Sequence, residues 1–83
     1  MSKYDPLYTY LSQRKENSVT LLFDDMEKII GDKLPVSAYK YAAWWNNHSE
    51  KTHPHSKSWL DAGYETVDIS ENLGKQIMRF ERK

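Results

Sequence analysis

The first apolar pattern of the chain has the spacing of a helix. Leu7, Tyr10 and Leu11 recur at positions i, i+3 and i+4, which puts them on one face of an α-helix. Asp5 precedes a proline, and an acidic cap followed by proline at the first helical position is typical of a helix start. The residues after Gln13 are polar, so the sequence predicts a first helix from Asp5 to about Gln13.

A short apolar run and a second helical pattern follow. Val19–Phe23 is rich in β-branched and apolar residues and is too short for a helix, so it predicts a strand. Asp24 and Glu27 resemble a capping box, and Gly31 is typical of a left-handed helix end. The acidic residues here are explained by the preference of helix starts for negative charge. The buried stripe of this second helix is predicted to consist of Met26, Ile29 and Ile30.

The third predicted helix carries a concentration of aromatic residues. It extends over Val36–Asn47, after a leucine-proline pair and with several alanines that favour helix. At helical spacing Tyr41 and Trp45 lie on one side, Tyr39 on a second and Trp44 on a third. A short helix cannot bury all of them against one neighbour. The helix is therefore either sandwiched between neighbours or offers an aromatic side chain to a partner.

A polar segment separates this helix from the next. Asn46–His55 contains a proline and predicts a loop, with a binding loop as the functional interpretation and disorder as the alternative. Ser56 is then predicted to cap a short helix that ends at Gly63. Trp59 and Leu60 are expected to point inward from it.

The end of the chain has the period of β-structure. Tyr64–Ile69 and Lys75–Arg82 both alternate between apolar and polar residues, and Ser70–Gly74 between them predicts a turn and hence an antiparallel hairpin. The resulting order is helix, strand, helix, helix, strand, strand, with the strand before the second helix pairing onto the hairpin. The sequence therefore predicts one α+β, winged-helix-like domain over residues 1–83.

Composition narrows the class of protein. The 83 residues include no cysteine, which excludes disulfides and thiolate metal sites and fits a reducing compartment. The N-terminus lacks the apolar segment of a signal peptide, and no apolar run has the length of a membrane span. We therefore expect a cytoplasmic protein that does not enter a membrane.

The charge is balanced overall but unevenly distributed. A net charge of zero argues against a protein that binds nucleic acid by phosphate neutralisation alone. Residues 33–57, however, carry four lysines against one acidic residue, which marks the middle of the chain as the candidate working surface. An ordinary fluctuation of composition is the alternative. The four lysines are Lys33, Lys40, Lys51 and Lys57.

Four stretches of the chain resemble a known family. They are YDPLYTYL at 4–11, TLLFDDMEKIIGDKLPVSA at 20–38, AWWNN at 43–47 and SWLDAGY at 58–64. Together they resemble a small prokaryotic domain of unknown function that is marked by YDPL, AWW-x-N and W-L-x-A-G-[WY] motifs. The resemblance covers nearly the whole chain. It implies a compact α+β module of prokaryotic or phage origin, similar to winged helices in element order, and it implies no activity.

The sequence contains no catalytic or cofactor motif that stands out. His48, His53 and His55 superficially suggest a metal site, but no cysteine completes it and Pro54 limits their convergence, which favours solvated loop histidines. No serine lies in a nucleophile elbow, and each glycine has a turn role. We therefore expect a protein that is not an enzyme and holds no metal or cofactor.

Binding to nucleic acid, most of all DNA, is the function that the pattern favours. In a winged helix the third helix enters the major groove, where asparagine can bond adenine, and an exposed aromatic ring can stack on an unpaired base. The three arginines lie outside the basic segment, which counts against this function because arginine is preferred in guanine and phosphate contacts. The candidate contact residues are Ser37, Lys40, Trp44, Asn46, Asn47, His48, Lys51, His53, Lys57 and Lys75, with Asn72 and Gln76 beside Lys75 in the wing.

A protein-interaction module or inhibitor is the alternative function. An aromatic patch around Trp44 with a polar rim has the composition of an interaction hot spot, and a neutral net charge fits this class. Trp45 and Trp59 are instead predicted to be core residues. The identity of the partner and the oligomeric state are left open by the sequence.

Overall fold

The computed structural model describes residues 2–47 and 54–83 and consists of short helices and a three-stranded sheet. The α+β class predicted from the sequence is confirmed. The elements are α1 (Asp5–Ser12), β1 (Ser18–Leu22), α2 (Phe23–Ile30), α3 (Val36–Lys40), a 3-10 helix (Ala42–Trp45), α4 (Pro54–Asp61), β2 (Tyr64–Val67), α5 (Ile69–Leu73) and β3 (Ile77–Arg82).

The first helix and its start differ in detail from the prediction. Tyr4 is the N-cap of α1, and no side chain caps it there. The Asp5 carboxylate instead accepts a hydrogen bond from the Ser2 amide at 3.3 Å, so it orders the residues before the helix rather than the helix itself. Leu7 and Leu11 are buried, as their spacing predicts.

The second helix begins earlier than predicted, with Leu22 as its N-cap in place of Asp24. Phe23 is the first residue of α2, although its amide still donates to the Gln76 carbonyl at 2.9 Å and so continues the β1–β3 ladder. The acid that serves the helix start is Asp25, not the predicted Asp24: its carboxylate accepts from the Leu22 amide at 3.1 Å. Gly31 ends α2 with φ 71°, which confirms the predicted left-handed glycine.

The continuous third helix predicted over Val36–Asn47 is wrong. The helix stops after Lys40, Tyr41 is extended with φ −123° and ψ 122°, and a 3-10 helix follows. The Trp45 indole nitrogen donates to the Ala38 carbonyl at 2.8 Å. The break therefore lets Trp45 turn back over the helix into the core, which a straight helix with several aromatic directions does not allow.

The sheet is antiparallel with strand order β1-β3-β2. Phe80 in the central strand lies opposite Val19 on one side and Thr66 on the other. The predicted pairing of the first strand with the C-terminal strands is confirmed by the β1–β3 ladder. One face of the sheet carries the buried side chains Val19, Leu21, Tyr64, Thr66, Met78 and Phe80.

The predicted turn between the last two strands is instead the helix α5. β2 ends at Val67, two residues earlier than predicted, and Asp68 adopts a left-handed conformation with φ 53°. The Asn72 side chain is buried and its amide nitrogen donates to the Val67 carbonyl at 3.3 Å. This bond fastens α5 to the end of the strand, so β2 and β3 are not joined as a tight hairpin.

The core lies between the helices and the inner sheet face. Trp45 and Trp59 are fully buried, and their rings stack at a centroid distance of 5.8 Å, which confirms both as core residues. Helix α4 begins at Pro54, so Ser56 lies inside the helix and is not its cap. The described helices have at most eight residues, and none has the length and apolar character that crossing a membrane requires.

Candidate functional site

The exposed side of α3 and the residue after it form the candidate surface. Ser37, Lys40 and Tyr41 are all exposed and follow one another at i, i+3 and i+4. Tyr41 keeps 61% of its surface open to solvent, and Val36 keeps 66%. The surface thus combines a cation, a hydroxyl and an aromatic ring within six residues of chain.

Glu27 holds this short helix against α2. Its Oε2 accepts from the Leu34 amide at 2.9 Å and from the Tyr39 hydroxyl at 2.8 Å. Burial of the Tyr39 ring, and then the hydrogen bond to Glu27, raise the pKa of Tyr39 above its usual value. The sequence assigned Glu27 to a capping box, but the structure uses it as the anchor of α3.

Trp44 belongs to an aromatic cluster rather than to a free patch. Its ring stacks on the imidazole of His55 at a centroid distance of 4.0 Å and an interplanar angle of 6°. The Tyr4 and Trp44 rings are in an edge-on arrangement with centroids 6.1 Å apart, and the His55 Nε2 lies 2.9 Å from the Trp44 carbonyl oxygen. These neighbours leave the Trp44 ring half-buried.

The side chain of Asn47 is committed to the fold. Its Oδ1 accepts from the Trp59 indole nitrogen at 3.0 Å and from the Thr66 amide at 2.9 Å. Its Nδ2 donates to the Thr66 carbonyl at 3.0 Å. Asn46 and Asn47 are both exposed, but the bond that Asn46 forms is made by its backbone amide, which donates to the Ala43 carbonyl at the end of the 3-10 helix. The two neighbouring asparagines therefore have different roles.

The lysines predicted to contact nucleic acid differ in whether they form an ion pair within the domain. Lys40 and Lys75 are exposed, and neither forms an ion pair with another residue of ranges 2–47 and 54–83. Lys57 pairs with Asp61 at 2.8 Å, and this hydrogen bond raises the pKa of Lys57. The predicted contacts His48, Lys51 and His53 lie outside the described residues.

The described residues do not form the wing that the sequence predicts between the last two strands. Helix α5 occupies its place and packs against the 3-10 helix, and Asn72 faces inward as described above. Gln76 is exposed, and its carbonyl accepts from Phe23. Within the described part of the chain, no group of three or more histidine or acidic side chains is placed to hold a metal ion.

Tyr41 is the surface residue that sequence reasoning missed. At helical spacing it shares a face with Trp45, and the sequence left open whether its ring is buried or exposed. The signal that could have identified it is that the aromatic side chains of one short helix point in several different directions. At least one ring then has to remain exposed.

Comparison with known proteins places the chain in a family without adding an activity. No curated protein and no solved structure matches it. A family model described as a domain of unknown function, DUF7662, matches residues 4–83. Because this match covers nearly the whole chain, the protein belongs to the DUF7662 family.

Proposed function

We propose that this domain is a non-enzymatic, nucleic-acid-binding module of winged-helix-like architecture that contacts its ligand through the exposed side of α3. The pairing of β1 with β3, next to a pair of consecutive helices, supports the winged-helix-like architecture. The helix α5 in place of the wing is a departure from that architecture.

The exposed ring of Tyr41, which directly follows the exposed Lys40 in the chain, is the observation that carries this proposal. A solvent-exposed tyrosine offers a face on which a base stacks, and every base has such a face. A lysine without an intramolecular ion pair gives up little when it neutralises a phosphate. Ser37 on the same side of the helix adds a hydrogen-bonding hydroxyl.

The shortness of α3 favours an unpaired strand over a duplex as the proposed ligand. Five helical residues span about 7.5 Å, which is too short to follow the major groove of a duplex. The corner at Tyr41 presents a ring instead of a helix face. We therefore expect an unpaired strand to bind more tightly than a duplex.

Local electrostatics are compatible with a phosphate near α3. Asp32, the acidic residue closest to α3 in sequence, pairs with Lys3 at 3.4 Å, and Asp24 in α2 pairs with Lys28 at 3.1 Å. These exposed pairs are weak, but they offset part of the negative charge near the surface. The Glu27 carboxylate beside α3 is hydrogen-bonded to the Leu34 amide and the Tyr39 hydroxyl. Lys40 then adds uncompensated positive charge.

Fluorescence anisotropy with labelled, mixed-sequence single-stranded DNA, single-stranded RNA and duplex DNA tests the proposal. Affinity for single strands should fall steeply between about 50 mM and about 200 mM salt, because binding releases counterions. Lys40→Glu should weaken binding at low salt, whereas Lys15→Glu makes the same charge change on the α1–β1 connection and should have a smaller effect. Tyr41→Ala should cost about 1–3 kcal/mol of binding free energy if the ring stacks on a base.

Tyr8→Ala is the matched control for the ring, since Tyr8 is an exposed tyrosine on α1. Binding that is undetectable with all three oligonucleotides at low salt would refute the proposal. Equal losses in Lys40→Glu and Lys15→Glu would also refute it, because they would indicate an effect of net charge alone.

A protein-interaction module is the second candidate, and the exposure of Val36 favours it. An exposed valine at the start of α3 and an exposed tyrosine directly after it offer two apolar side chains that a protein partner can cover. A sizing or pull-down experiment in which Val36→Asp and Tyr41→Ala abolish a complex would support this candidate. A complex that is abolished by Trp44→Ala instead would support a protein-interaction surface around Trp44.

A further inference from the structure

Among the strands of residues 2–47 and 54–83, none pairs with the outer edge of β1. The Phe23 amide donates to the Gln76 carbonyl at 2.9 Å, and the Arg82 amide donates to the Asn17 carbonyl at 2.8 Å. Together with the register, these bonds show that the odd-numbered residues of this strand bond to β3. The main chain of Thr20 therefore points away from the sheet, and it forms no hydrogen bond on that side within the described residues.

A groove runs beside this edge. It lies between β1 and the helices α1 and α2 and has a volume of about 360 Å³. Its apolar lining includes the half-buried side chains Tyr10 and Ile29, together with Leu21 of the strand itself. Asp25 and Lys28 complete the rim.

The edge lacks the protection that the opposite edge of the sheet has. On β2, the side chain of Asn47 occupies the outward amide and carbonyl of Thr66. β1 has the sequence SVTLL, without the charge or proline that commonly blocks edge pairing. Asp25 takes the Leu22 amide at one end, which leaves the middle of the strand at Thr20 open.

We propose that an extended peptide segment of a partner protein binds here as a fourth strand. Its main chain pairs with Thr20, and a side chain that points to the inner face of the extended sheet enters the groove. In this mode of recognition the main-chain hydrogen bonds provide affinity, and alternate side chains in a pocket provide specificity. The apolar lining calls for an aliphatic or aromatic side chain at that position.

The groove favours a peptide over a second copy of this chain. If β1 paired with β1 of another copy, the side chains facing inward would be Val19 and Leu21 of that copy. Both are already buried in their own core, at 7% and 5% exposure, so they could not fill the groove. A segment without a core of its own is free to do so. This site lies on a different part of the domain from the exposed side of α3 and does not depend on nucleic-acid binding.

The test is selection of binders from a displayed library of random peptides, followed by synthesis of the selected sequences. We expect selected peptides with an apolar residue at alternate positions. In NMR spectra they should shift the amide signals of Ser18–Leu22 and Ile29. Hydrogen exchange at the Thr20 amide should be fast in the free protein and slow in the complex, because pairing protects it.

Thr20→Pro is the decisive variant. Proline removes an amide that faces away from β3, so it is compatible with this edge and should leave the ladder intact. Peptide affinity should fall about tenfold or more with the loss of that main-chain hydrogen bond at the centre of the pairing. Thr20→Val keeps the amide and should bind as the wild type does.

Selected peptides that bind equally well to Thr20→Pro would overturn the proposal, as would shifts confined to α3. Failure to select any peptide would also overturn it. A concentration-dependent dimer that protects the Thr20 amide would show that a second copy of the chain, and not a peptide, binds at this edge. The hydrogen-exchange measurement uses the wild-type protein. It therefore tests the proposal even if Thr20→Pro unfolds the domain.

Discussion

The side chain of Asn47 pairs with the main chain of Thr66 as a neighbouring strand would. Its Oδ1 accepts the Thr66 amide at 2.9 Å, and its Nδ2 donates to the Thr66 carbonyl at 3.0 Å. The same Oδ1 accepts the indole N–H of Trp59, a fully buried residue. One side chain thus connects the end of the 3-10 helix, the sheet edge and the core.

Asn47→Ala should therefore be strongly destabilising. The substitution leaves the indole N–H of Trp59 without its acceptor, and an unsatisfied buried donor costs about 1–3 kcal/mol. Chemical denaturation of the variant should show this loss in the free energy of unfolding.

Asn46→Ala is the matched control for that measurement. Asn46 is the neighbouring residue of the same type, and its side chain is exposed. Surface substitutions of this kind change stability by about 0.5 kcal/mol or less. Equal losses in the free energy of unfolding for the two variants would show that the hydrogen bonds of the Asn47 side chain do not contribute to stability.

The two adjacent tryptophans should differ in their contributions. Trp45 is fully buried, stacks on Phe23 at 5.0 Å and donates to Ala38. Trp45→Ala should cost about 3–5 kcal/mol because it leaves a large cavity. Trp44→Ala should cost less, since its ring is half-buried. Denaturant titrations that gave the reverse order would contradict the assignment of Trp45 to the core and Trp44 to its edge.

Roles that depend on local pattern were predictable from the sequence. Gly31 was identified because a helix followed by a polar turn needs a left-handed residue there. Trp45 and Trp59 were identified because large aromatic rings dominate a small core. The β1–β3 pairing followed from the order of the elements.

Roles that depend on distant partners were not predictable. Asn47 acts on Thr66, which is 19 residues away, and Glu27 acts on Tyr39, which is 12 residues away. Neither partner leaves a periodic signal in the sequence. The sequence left the exposure of Tyr41 open because the bond from Trp45 to Ala38, which accompanies the helix break, is a tertiary contact. The helix α5 was taken for a turn because its asparagine and glycine favour turns.

Stability should decrease as the pH rises above 10. Burial raises the pKa of both Tyr4 and Tyr39 above their ordinary value of 10.0, with Asp32 and Glu27 as the respective further causes. The unfolded chain then loses these protons at a lower pH than the folded chain does. The unfolded state thus binds fewer protons in this range, so the free energy of unfolding falls with increasing pH.

The lysines Lys28 and Lys57, whose pKa values are also raised by their acidic partners, contribute in the same direction. Variants are therefore needed to isolate the tyrosines. Tyr39→Phe and Tyr4→Phe should each flatten the decrease measured by denaturation at several alkaline pH values. A slope unchanged in both variants would rule out these two hydroxyls as its cause.

Two glycines should respond to alanine in opposite ways. Gly31 has φ 71°, and a methyl group added there would meet no atom within 4 Å, so any cost comes from the backbone alone. An alanine held in this left-handed conformation costs about 1–2 kcal/mol. Gly74 also has open space around it, but its φ of −65° and ψ of −21° are helical. Gly74→Ala should therefore stabilise the domain by about 0.4–1 kcal/mol, because it restricts the unfolded chain without straining the folded one. Thermal and denaturant unfolding of the two variants should give changes of opposite sign, and a loss of stability in Gly74→Ala would show that α5 does not end as described.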